Sequence, residues 1–80
     1  MIIGVKQVFE ILMPIVDNVG ESIEVRERAV KLLVSWGPDS SWWQRMAAMT
    51  WHEPNRQMAS FVSSIIYTTS RLNHIAHGPQ

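Results

Sequence analysis

One stretch constrains everything else in this chain, the run that opens at Glu53-Pro54-Asn55 and continues as an amphipathic pattern to Leu72. Met58, Phe61, Val62, Ile65, Ile66, Thr69 and Leu72 recur at i, i+3, i+4, i+7, the repeat that lines one face of an α-helix. Pro54 suits a first helical position, where its missing N–H has no intrahelical partner to lose. Ala59, Ser60, Ser63 and Ser64 are small and leave room for a second helix to approach. The spacing predicts a helix over 54–73 with 74–80 as a frayed tail. A long helix with one apolar face needs partners, and the sequence before it reads as shorter helices that supply them.

The first of these spans 5–16, marked by Val5, Val8, Phe9 and Leu12 and continued by Ile15 and Val16. Pro14 should kink or stop it near Leu12, because proline removes a backbone hydrogen bond and clashes with the preceding turn. Asp17-Asn18-Val19-Gly20 then reads as a turn. Ser22 is a good N-cap for a second helix over 23–36, with Glu24 in its first turn, where the helix dipole favours an acid. Val25, Ala29, Leu32, Leu33 and Trp36 form its main stripe, and Ile23, Val30 and Val34 a weaker one, as in a helix between two neighbours. Glu24 with Arg28, and Glu27 with Lys31, are spaced for i, i+4 ion pairs. Gly37-Pro38 is a stop signal, with glycine suited to a left-handed position beyond the helix end. Asp39 or Ser40 caps a third helix over 41–50, with Trp42, Met46 and Met49 on one face and Trp43 and Ala47 beside it. The result is an all-α chain: four helices as two antiparallel hairpins, a fragment of a layered, HEAT-like helical superhelix. The hairpins do not repeat each other in sequence, so the layout alone suggests the repeat.

Eighty residues make one small helical segment, near the lower size at which a single core is stable unaided. With 46% hydrophobic and 18% charged residues the chain is globular. Seven basic residues are scattered among seven acidic ones, leaving no positive stripe for phosphates and arguing against nucleic acid as a partner. There is no cysteine, hence no thiol nucleophile, thiolate metal site or disulfide, and no apolar run approaches a transmembrane length. Met1 to Lys6 lacks the basic-then-apolar order of a signal peptide. His52-Glu53 matches the start of an HExxH zinc motif, but Arg56 holds the second histidine position and Pro54 breaks the required helix. His74 and His77 read as solvated residues of the tail, and no serine sits in a nucleophile-elbow context. The residues therefore point to no catalytic centre, no cofactor and no metal.

What they offer instead is an interaction inventory. Trp36, Trp42, Trp43 and Trp51 crowd around the link between the hairpins. The ordinary reading puts them in the core between layers, with indole N–H groups at its edge. The sharper reading is that adjacent Trp42 and Trp43 do not both face one interior, so one of them meets a partner surface. Met46, Met49 and Met58 read as core by default, with Phe61, Val62 and Ile65 along the long helix as further packing or interaction candidates.

Two segments resemble a known family. Glu24-Val25-Arg26 followed by Ala29 is similar to an "EVR-x-x-A" helix start in the α-helical domain of the large lipid transfer proteins. These are vitellogenin, apolipophorin, apolipoprotein B and the microsomal triglyceride transfer protein. Glu53-Pro54-Asn55, then Gln57-Met58-Ala59-Ser60-Phe61-Val62 and Ser64, resembles the same domain's "EP…QVASFV-x-S" helix, with Met58 in place of valine. Ile65 stands where a histidine often follows the serine. The two come in the family's order, and the resemblance covers roughly Asn18 to Leu72. It implies the C-terminal part of a helical horseshoe inside a long secreted lipid carrier. Lipid is then a partner of the parent protein, and neighbouring helices and β-sheets are partners of this segment, which acts as scaffold. The competing reading is a small HEAT-like protein–protein interaction module unconnected with lipid.

Overall fold

A computed structural model of the chain describes residues 4–77, with side chains described as far as residue 69. Four helices follow in order: α1 (Val5–Asp17), α2 (Ile23–Ser35), α3 (Ser40–His52) and α4 (Arg56–His77). There is no strand among the described residues, and the fold is all-α. The helices form two antiparallel hairpins, α1 with α2 and α3 with α4, set side by side so that α2 lies along α4. The molecule measures 44 × 38 × 19 Å, a slab two helices thick.

Local chemistry explains most of the helix ends. The Ser22 hydroxyl accepts from the N–H of Val25, and the Asp39 carboxylate from the N–H of Trp42, each satisfying a donor that has no partner within its helix. Gly37 adopts φ +69° just past the end of α2, and its N–H reaches the carbonyl of Val34 at 3.1 Å. Between α1 and α2, the Gly20 N–H donates to the Asn18 side-chain oxygen at 2.9 Å, making the turn self-supporting.

The structure departs from the sequence expectation at several points. α1 runs through Pro14 to Asp17, one residue beyond the expected 5–16, so the proline does not stop it near Leu12. Pro14 and Glu10 are both exposed, so the proline falls on the outer side of α1, where water can replace a lost backbone donor. α4 starts at Arg56, not at Pro54, because Asn55 is its N-cap: its side-chain oxygen accepts from the N–H of Met58 at 3.0 Å. At the other end α4 runs on to His77, so the expected tail begins four residues late; the histidine side chains and residues 78–80 lie outside the described residues. Neither Glu24–Arg28 nor Glu27–Lys31 closes into an ion pair; among the described residues the ion pairs are Arg26–Glu53 and Arg45–Asp17.

The core is one cluster of Met13, Val16, Ala29, Val30, Leu33, Trp42, Met46, Met58 and Val62, drawn from all four helices. On α2 the buried face is Arg26, Ala29, Val30 and Leu33. Val25, Leu32 and Trp36, expected in the main stripe, are exposed instead. The true repeat is rotated by one residue and starts from an arginine, which hydrophobicity alone passes over.

Candidate interaction site

The tryptophans divide sharply. Trp42 is buried, its indole N–H directed at the Met13 sulfur at 3.2 Å. Its ring meets Phe9 edge-on at 6.0 Å and Trp43 edge-on at 4.9 Å. Trp43 is half-buried and packs against the same core cluster. A T-shaped stack lets one ring lie in the interior while its neighbour lies along the edge. Trp42 fits the ordinary reading of a core residue, while Trp43 keeps part of its ring in solvent at the edge of the core. The exposed indoles are the other two: Trp36 at the end of α2, 44% exposed, and Trp51 near the end of α3, 86% exposed. Met58 and Val62 are fully buried, and Phe61 and Ile65 are half-buried at the edge of the core. The Lys31 ammonium sits 5.8 Å from the Phe61 ring centroid, a cation–π distance.

The most connected side chain was not among these candidates. Arg26 is 1% exposed, and its guanidinium ties three segments together. Nε and Nη2 donate to the Val16 carbonyl at 2.9 and 2.7 Å, holding the end of α1. Nη1 donates to Glu53 Oε2 at 3.1 Å, and Nη2 to Glu53 Oε1, a bidentate fork on the residue that links α3 to α4. Glu53 Oε2 also accepts the N–H of Asn55 at 3.0 Å, fixing the start of α4. The hydrogen bonds from Arg26 are the main reason the Glu53 carboxyl is held below its ordinary value, outweighing the upward push of burial. Among the described residues no buried side-chain polar atom is left unpartnered, so the charge pair is fully satisfied. One signal was available in the sequence: positions 26, 29, 30 and 33 are themselves an i, i+3, i+4, i+7 set.

Arg26 and Glu53 belong one to each of the two segments that resemble the large lipid transfer family. A family model described as the vitellogenin TPR domain matches residues 4–67. The chain belongs to the vitellogenin TPR domain family. Among curated proteins it is 48% identical over 67 residues to the hemolymph clottable protein of Penaeus monodon. That alignment covers 84% of this chain and 4% of the shrimp protein, so the chain matches a small part of a much longer relative. No solved structure matches the chain.

The strongest charge pair is buried and saturated, and no group of three or more metal-ligating side chains occurs among the described residues. No helix in the described residues is long and apolar enough to cross a membrane.

Proposed function

We propose that this chain is a structural layer in the helical domain of a long, vitellogenin-like lipid-transport protein, and that its task is scaffolding, not catalysis. The observation that carries the reading is the Arg26–Glu53 clamp, whose two residues fall in the two family-like segments and whose bonds run between hairpins. A saturated buried pair of this kind fixes the arrangement of the helices and leaves nothing over for a ligand. The outer faces remain for neighbouring helices and for the β-sheets that hold lipid elsewhere in the parent protein. Since the relative is named a hemolymph protein, the parent is extracellular on this reading.

The test has two parts. The transcript is sequenced across both ends of the segment, where we expect an open frame continuing into further helices upstream and β-rich sequence downstream. The 80-residue chain is also floated with phosphatidylcholine–triacylglycerol emulsions, where a scaffold layer stays with the soluble fraction. Saturable lipid capture by this segment would overturn the scaffold role. A free-standing frame bounded at Met1 and Gln80 would favour the second reading, a helical interaction module. The exposed Trp51 is the observation on that side.

A further inference from the structure

The two hairpins present different outer sides. Val25 and Leu32 on α2, with Trp36 at its cap, are exposed and fall within about 40° of one another round the helix. Lys31 and Val34, which line a groove against Phe61 and Ile65 of α4, sit about 120–180° round α2 from that row. The row therefore faces away from α4. On α1, Ile11 is exposed and lies about 160° from Phe9 and from Met13, the two residues that meet Trp42 of α3. It faces away from α3. Since α1 and α2 are antiparallel neighbours, Ile11 stands beside the middle of the α2 row, and together they make an apolar band on the side turned from the second hairpin. The second hairpin is built differently. Among the described side chains neither α3 nor α4 exposes an aliphatic group larger than Ala48, and the large apolar residues they expose are single aromatics, Trp51 and Tyr67. α4 presents Ser60, Ser63, Ser64 and Thr68 instead. A stack of helical hairpins buries its apolar faces between neighbours and ends in a polar outer face.

We propose that the band of Ile11, Val25, Leu32 and Trp36 docks one further helical hairpin, the one that precedes this segment in the parent protein, and that the hydroxyl face of α4 takes no such hairpin. The docking rests on the scaffold reading and gives that layer a direction. It continues an interface already present: α2 holds α4 against one side, and an apolar row at helical spacing on its opposite side suits a second helix in the same way. Chain order says which hairpin, because consecutive elements are usually spatial neighbours and the following hairpin already occupies the other side. The alignment spans 4% of the shrimp relative, so a parent of that kind has chain to supply it.

The chain has no cysteine, so a single introduced thiol can be followed without background. Leu32→Cys reports the band and Ser64→Cys the α4 face; both positions are exposed, so neither change disturbs the core. Thiol labelling rates are compared in the 80-residue chain at low concentration, in the chain lengthened by the adjoining upstream stretch of the parent, and in one lengthened downstream. In the upstream-lengthened chain Leu32→Cys should label at least about tenfold more slowly, as for a group reached only through local opening, with Ser64→Cys unchanged. Leu32→Glu should lower the melting temperature of that longer chain and leave the 80-residue chain nearly unchanged. Protection of Leu32→Cys by the downstream stretch, or only by concentrating the 80-residue chain, would give the band to a later domain or to a second copy and overturn the docking. Protection of Ser64→Cys by the upstream stretch would overturn its direction. Equal labelling of Leu32→Cys in all three chains would overturn the docking while the scaffold reading stands on its flotation result; a parent frame with no helical sequence upstream would sink both.

Discussion

Arg26 is the side chain whose loss should cost this fold most. Replacing it with methionine keeps much of the packing but leaves the Glu53 carboxylate and the Val16 carbonyl without their donor. Breaking one partner of a buried ion pair costs about 3–5 kcal/mol, so urea denaturation should show Arg26→Met to be marginally folded or unfolded. Glu53 sets the acid limit. Its carboxyl is held below the ordinary value of 4.5, so the stability it contributes is present above that value and is lost as pH falls through the lower folded-state value. The urea midpoint of the wild-type chain should therefore keep falling below about pH 4.5. Glu53→Gln should start from lower stability at neutral pH and lose less of it there, narrowing the gap between the two; a constant gap would show that the pair contributes nothing. By contrast Phe61, half-buried under the Lys31 ammonium, should lose less on truncation to alanine than the roughly 3–5 kcal/mol of a central aromatic.

At the scale of the element, the helix ends offer the cleanest tests. Asn55→Ala removes the N-cap of α4 and should cost about 1 kcal/mol in thermal or urea unfolding. Gly37→Ala meets no neighbouring atom within 4 Å, so any loss reports the left-handed backbone alone, about 1–2 kcal/mol. Pro14 tests the opposite sign. It is exposed inside α1, and Pro14→Ala restores the donor toward Glu10, so the melting temperature should rise. The ends were legible before the structure at Ser22, Gly37 and Asp39 because capping is local chemistry, decided within three or four residues. Pro14 and Pro54 misled because the cost of a proline depends on whether the freed carbonyl meets water and on which neighbour caps the helix.

For the whole molecule, the governing fact is how much apolar surface a slab 19 Å thick leaves uncovered. Ile11, Leu32 and Trp51 are exposed on helices whose other faces build the core, and Val19 and Trp36 are exposed in the links that follow α1 and α2. A layer of this kind should associate when isolated, and sedimentation should show species larger than a monomer at rising concentration. Trp51→Ser should weaken that association while moving stability by no more than about 0.5 kcal/mol, since Trp51 makes little of the core. A compact monomer at high concentration would mean that these faces do not drive association.

The sequence by itself determined the helical class, the two hairpins and the family, because periodicity, capping residues and short motifs are all written within one turn or two of the chain. The interior of α4 was equally plain, since Met58 and Val62 recur at helical spacing and both are buried. Only the tertiary structure decided which face of α2 turns inward, and it chose the face beginning with Arg26. An arginine can lie there only because Val16 and Glu53, ten and twenty-seven residues away in the chain, converge to satisfy it. The tryptophans followed the same rule. Trp42 and Trp43 share an edge-on stack while Trp51 stands in solvent, because burial is set by which helix lies opposite, and no local spacing records that.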